Sequence, residues 1–164
     1  MATLALAGAA GANHLYTGNV TFSGAAEVPP TGSTATGSGS VIVDTEANTL
    51  SYDLTYSGFS TSETAAHIHG FSLPGVSSGV LVPIPAGLHK VGVWNFAEGQ
   101  QASILAGLTY FNIHSTAFGG GEIRAQIFLA STAPGISTWG LIALALLLVA
   151  GASFAILRRR PRLA

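Results

Sequence analysis

Histidine is the residue type with the greatest chemical capacity in this chain of 164 residues, which contains no cysteine. His67 and His69 stand two apart in the segment AAHIHGF, so on a β-strand their imidazoles project from one face, about 7 Å apart at Cα. His114 alternates with apolar residues in LTYFNIHS in the same way. If the two strands are neighbours, the three imidazoles form a site that suits a zinc or copper ion, and we expect Glu122 nearby as an oxygen donor.

A second interpretation of these histidines is structural. Their rings can hydrogen-bond to loop backbone or to one another across a polar sheet face. The sequence does not fix the distance between the strands, so both interpretations are open at this point. His14 lies beside a predicted cleavage site, His89 lies in a predicted loop next to Lys90, and neither histidine is given a role.

Arg124 is the one arginine between residues 13 and 130. One interpretation is that it contacts an anion or a partner. The interpretation we favour is a buried ion pair with Glu122, Asp53 or Glu27, because a guanidinium bonded to a carboxylate can lock two strands together.

The composition excludes several classes of function. Residues 13–130 hold seven acids and two bases, a net charge of −5, so this region lacks the basic surface that binds nucleic acid. Without cysteine the chain has no disulfide, no thiol nucleophile and no cysteine zinc site. It has neither a G-x-S-x-G motif nor a glycine-rich loop from strand to helix, so we predict no enzyme activity.

Short strands are the elements that must position these residues. Apolar and polar residues alternate in GNVTFSG, SGSVIVD and TLSYDLTYSG, and turn sequences such as TEAN and FGGG separate the strands. Leu50, Tyr52, Leu54 and Tyr56 share one face of their strand. The pattern predicts about seven strands in an all-β, antiparallel, Greek-key-like β-sandwich over residues 13–130, with one short helix in AEGQQASILAG.

The two ends of the chain have a different composition. Residues 1–12 are small and apolar and end in Ala-Gly-Ala, which indicates a truncated signal peptide. After a linker at 131–138, residues 139–157 carry no charge and are long enough for a transmembrane helix that would anchor the protein in a membrane. Four arginines follow in 158–164, which predicts a cytoplasmic tail and an ectodomain on the outer side of the membrane.

Four segments in the order GAAEVPP, AAHIHG, LTYFNIHS and GGEIRAQI resemble the CHRD domain, first described in chordin and widespread in exported bacterial proteins. The resemblance covers about residues 15–129 and departs from the usual pattern at Ala125 and Ser115. It implies an immunoglobulin-like or superoxide-dismutase-like sandwich and supplies no firm activity.

The His-x-His pair is also similar to that of copper–zinc superoxide dismutases. This similarity implies that His67 and His69 bind copper, with His114 as a third ligand. Those enzymes also need a bridging histidine, further zinc ligands and a disulfide, and the chain lacks the histidine spacing and the cysteines for them. We therefore reject dismutase activity and keep metal binding open.

The C-terminal segment is similar to bacterial C-terminal sorting signals, on Ile136, Thr138, Trp139 and Gly140. The similarity implies a sorting protease as a partner, or a single-pass membrane protein if no cleavage occurs. We predict an exported, non-enzymatic binding or structural module of the bacterial cell envelope, with a protein or extracellular-matrix partner. The alternative is a periplasmic copper- or zinc-binding protein.

Overall fold

The computed structural model describes residues 14–132 and, further along, residues 142, 145–149, 151 and 153. The chain divides into two compact units, Met1–Thr132 and Ala133–Ala164. The predicted signal peptide, the arginine tail and most of the linker lie outside the described residues. The described residues of the segment 139–157 are helical, but no helix among the described residues is long and apolar enough to cross a membrane. The predicted transmembrane helix, much of which lies outside the described residues, stays a prediction.

Residues 14–132 form strands joined by loops and short helical turns. The strands are β1 (Leu15–Ser23), β2 (Thr36–Asp44), β3 (Thr49–Ser57), β4 (Glu63–His69), β5 (Val80–Ile84), β6 (His89–Asn95), β7 (Tyr110–Ser115), β8 (Ile123–Gln126) and β9 (Ala130–Ser131). Two 3₁₀ turns (Gly24–Ala26 and Glu98–Gln100) and one helix, α1 (Gln101–Leu105), complete the unit. The predicted helix in AEGQQASILAG is confirmed.

All the strands belong to one antiparallel sheet in the order β5-β4-β7-β8-β1-β2-β3-β6, with β9 paired to β1. Only four residues join β5 to β6, although these strands stand at opposite ends of that order. A link of this length spans at most about 17 Å, so the sheet must curl until its edges approach each other. The predicted all-β, antiparallel architecture is confirmed, as one nearly closed sheet rather than two separately hydrogen-bonded sheets.

The interior is filled from the alternating faces of the strands. The predicted face of Leu50, Tyr52, Leu54 and Tyr56 on β3 is buried, as is the facing side of β7. Tyr52 meets Phe111 across the interior in an edge-to-face contact, with ring centroids 5.7 Å apart. This packing makes the inner face of β7 part of the core and leaves Tyr110, Asn112 and His114 on the outer face of that strand.

Strand β6 corrects one prediction, because His89 and Lys90 begin a strand rather than lie in a loop. The strand pairs with β3 from Thr55↔His89 to Thr49↔Asn95. The sequence pattern does not indicate which face of β6 is buried, because Val91 and Val93 point outward and Lys90 points inward. In most strands of this kind the apolar side chains face the core and the charged ones face solvent, and β6 reverses that arrangement.

Lys90 forms a buried ion pair with Glu63 of β4. The Lys90 ammonium also donates to the Pro85 carbonyl at 2.9 Å, and the Tyr56 hydroxyl donates to Glu63 at 2.6 Å. The pair therefore joins β3, β4 and β6 inside the barrel, next to the short link between β5 and β6.

Removing the Glu63 carboxylate tests this arrangement. Glu63→Ala leaves the Lys90 ammonium buried without its counterion, so we expect the free energy of unfolding to fall by about 3–5 kcal/mol. Urea denaturation of the full chain measures the change.

The matched control is Asp53→Ala, which breaks the exposed pair of Asp53 with His89 at 2.8 Å. Exposed ion pairs contribute about 0–1 kcal/mol to stability, so the free energy of unfolding of this variant should be close to that of the wild type. Equal losses in the two variants would contradict the role given to Glu63.

Candidate metal centre

The pairing of β4 with β7 brings the three predicted histidines together. The register places Ala65 opposite His114, His67 opposite Asn112 and His69 opposite Tyr110. The residues between them fill the core, so the histidine rings lie on the outer face of the barrel. Each ring offers one nitrogen, and these nitrogens lie within 4.8 Å of one another.

Backbone carbonyls orient two of the rings. Nδ1 of His69 lies 2.9 Å from the Ser78 carbonyl, and Nδ1 of His114 lies 3.0 Å from the Gly119 carbonyl. A carbonyl oxygen only accepts, so Nδ1 must carry the proton in both rings and Nε2 keeps a lone pair. Nε2 of His69 is buried and has no hydrogen-bond partner within residues 14–132.

The His67 ring faces the His114 ring directly. Nδ1 of His67 lies 3.1 Å from Nε2 of His114. Two nitrogens that share one tetrahedral ion at about 2.0–2.1 Å stand about 3.3 Å apart, so this separation is close to what a shared ion requires. The two interpretations of the sequence are compatible, because the hydrogen bonds to backbone hold the rings in the orientation that binding needs.

The electrostatic setting favours neutral imidazoles. Burial lowers the pKa of His67, and the neighbouring rings of His114 and His69 lower it further. Burial also lowers the pKa of His69 against the opposing hydrogen bond to Ser78, and His114 and Arg124 add to the lowering. A metal ion binds the neutral form of histidine, so these shifts favour the state that can act as a ligand.

Glu122 does not join the histidines. The cluster of ligand atoms within the described residues contains His67, His69 and His114 alone. Oε1 of Glu122 accepts a hydrogen bond from the Ser33 hydroxyl at 2.7 Å instead. The expectation of an oxygen donor at the cluster was wrong, because the Glu122 carboxylate is bonded to Ser33 in the loop before β2.

Arg124 is buried on the outer face and forms no ion pair with any residue that the structure describes. No carboxylate within residues 14–132 lies at ion-pair distance from it, so the favoured interpretation was wrong. Its Nη2 donates to the Val76 carbonyl at 3.1 Å and to the Gln126 side chain at 3.0 Å. Its guanidinium carbon lies 3.4 Å from the centre of the Tyr110 ring.

Tyr110 is the residue at this site that sequence reasoning left without a role. His69 stacks on its ring at 4.9 Å between centroids, and Arg124 approaches from the neighbouring strand on the other side. The Ser78 amide donates to the Tyr110 hydroxyl at 3.0 Å. Tyr110 therefore positions His69 twice, through its ring and through the loop residue Ser78. Its place on the face of His114 was visible in the alternation, but the backbone contact of Ser78 leaves no trace in the sequence.

Arg124→Lys separates stacking from charge. Lysine keeps the positive charge but loses the planar group over Tyr110 and its forked donors, so we expect the free energy of unfolding to fall by about 1–2 kcal/mol. Urea denaturation measures the loss. A variant as stable as the wild type would show that the positive charge alone accounts for the contribution of Arg124 to stability.

Comparison with known protein families gives a match to this part of the chain. The sequence model of the CHRD domain matches residues 19–127, a segment that includes the three histidines, Tyr110 and Arg124. No curated protein matches the chain, and no solved structure does. Because the matched segment is more than half of the chain, the protein belongs to the CHRD domain family.

Proposed function

We propose that this CHRD domain is a non-enzymatic binding module whose ligand is one copper or zinc ion held by His67, His69 and His114. The observation that carries the proposal is the cluster of three imidazoles with ligand atoms within 4.8 Å of one another. The second support is the pair of backbone carbonyls that fix the tautomers of His69 and His114.

The donor set accounts for the class of ion. Three imidazole nitrogens suit copper and zinc, which lie at the high-affinity end of the divalent series for such sites. Calcium and magnesium prefer oxygen ligands, and the cluster contains none among the described residues. A fourth coordination position stays free for water or for a ligand from a partner.

Metal titration of the full chain, purified in mild detergent, tests the proposal. We expect one Cu(I), Cu(II) or Zn(II) ion per chain at micromolar concentration. His67→Ala, His69→Ala and His114→Ala each remove a ligand, so each should weaken binding by more than the roughly 10–100-fold that loss of a supporting group costs.

His89→Ala is the matched control, because His89 is an exposed histidine paired with Asp53 away from the cluster. It should bind the metal as the wild type does. Circular dichroism of each variant verifies that the fold is intact. Binding that survives all three cluster substitutions, or no stoichiometric binding by the wild type, would overturn the proposal.

We further propose that the domain acts in the bacterial cell envelope, outside the cytoplasm. The support is the uncharged segment 139–157 followed by four arginines, since positively charged flanks stay in the cytoplasm. The likeness of this segment to sorting signals makes a sorting protease the expected partner of the C-terminus.

Reporter fusions in a bacterial host test the location. An enzyme that is active only in the cytoplasm should be active when fused after residue 164, and a reporter that is active only outside should be active when fused after residue 132. The reverse pattern would contradict the proposed orientation.

A further inference from the structure

Two buried oxygen atoms without a hydrogen-bond donor lie beside Gly121, beneath the loop that precedes β2. They are Oε1 of Glu27 and Oδ1 of Asn112, and neither has a partner within residues 14–132. Both side chains are about 95% buried, at 5% relative exposure each. Buried acceptors that lack a donor are costly, so the pair requires an explanation.

The other two polar atoms of the same groups are already bonded. Nδ2 of Asn112 donates to Oε2 of Glu27 at 3.2 Å. The unpartnered Oδ1 and Oε1 both lie beside Gly121, where a Cβ atom would fall 2.8 Å from Oε1 and closer still to Asn112. Gly121 has φ of +130°, which also favours glycine, so the residue leaves room for the two groups to lie side by side.

We infer that Glu27 and Asn112 form a proton-binding pair, in which a neutral Glu27 donates from Oε1 to Oδ1 of Asn112 and completes a ring of two hydrogen bonds. One proton then supplies the donor that both orphan oxygens lack. The carboxylic acid and the amide complement each other, since each offers one donor and one acceptor. The ligand of this site is a proton. When it is bound, two hydrogen bonds between Glu27 and Asn112 join the loop 24–33 to β7.

The surroundings favour the neutral acid. Burial raises the pKa of Glu27 to about 7, against the opposing charge of Arg124 and the hydrogen bonds from Asn112 and the Val28 backbone. Below that value the neutral acid is the main form. Glu27 also lines two open clefts of about 440 and 400 Å³, so protons can exchange with solvent.

The charged neighbour that acts on Glu27 is Arg124 of β8. Arg124 directs its Nη2 to Val76 and Gln126 rather than to the carboxyl group. Glu122, immediately before β8, is bonded to Ser33, and His114 of β7 is bonded to the Gly119 backbone. The loops 70–79 and 116–121 contain no ionisable side chain. No cation within residues 14–132 lies at ion-pair distance from Glu27.

The sign of the pH dependence follows from the raised pKa. The folded chain holds a proton that an unfolded glutamate releases near pH 4.3, so folding takes up a proton. The stability from this pair is complete below about pH 4.3 and is lost as the pH rises to about 7. Above that pH the hydrogen bond from Oε1 of Glu27 to Oδ1 of Asn112 is lost, and only the bond from Nδ2 of Asn112 to Oε2 of Glu27 still holds the loop 24–33 to β7.

Glu27→Gln is the decisive variant, because glutamine supplies one donor and one acceptor at every pH. We measure the melting temperature of the full chain with a metal chelator present, from pH 4.5 to pH 8. The wild type should lose stability relative to Glu27→Gln as the pH rises to about 7 and then run parallel to it. Titration of the histidines occurs in both proteins and cancels in the difference.

Glu46→Gln is the matched control, since Glu46 is an exposed acid whose carboxylate lies 3.8 Å from Nδ1 of His14. It should keep the pH profile of the wild type. Carbon-13 NMR of labelled glutamate carboxyls adds a readout that needs no stable variant, and one buried signal should titrate near pH 7. A Glu27→Gln profile that follows the wild type would overturn the inference, and so would a Glu27 carboxyl that is ionised at pH 5.5 and bridged to Asn112 by water.

Discussion

The burial of β7 on both faces is the constraint on which the rest of this structure depends. On its inner face Phe111 and Ile113 pack into the core of the barrel. On its outer face Tyr110 and Asn112 are just as inaccessible, because loops cover them. Polar groups that are buried must find partners within the protein. The outer face therefore becomes a connected polar layer, and both the histidine cluster and the Glu27–Asn112 pair belong to it.

The segments that carry the resemblance to the CHRD domain converge on this layer. The EVPP segment supplies Glu27, and the HIHG segment supplies His67 and His69. The Y-x-N-x-H segment supplies Tyr110, Asn112 and His114, each of which contacts one of the other segments or a covering loop. The GEIR segment supplies Gly121 and Arg124. The polar residues of these four segments thus meet in one layer outside the apolar core of this protein.

Alternation of polar and apolar residues predicted most of what it can determine. It set Leu50 and Tyr52 on one face of their strand, placed a turn between β2 and β3, and set His67 and His69 on one face. It failed where a residue leaves the alternation or reverses it. Glu122 lies one residue before β8, and β6 carries its lysine inward and its valines outward. Arg124 was expected to meet a carboxylate, but the choice between a carboxylate and an aromatic ring depends on which residue the neighbouring strand presents. The sequence pattern does not contain that information.

The gap between β5 and β6 has a consequence for association between molecules. Strands at the ends of a sheet carry unpaired backbone groups, to which a strand from another molecule can add. Here β5 contains Pro83, which has no backbone N–H to offer, and β6 directs the charge of Lys90 inward. Both features disfavour the addition of a further strand. The ion pair that joins β4 to β6 thus also holds an inward charge on an edge strand, a feature that disfavours the pairing from which aggregates grow.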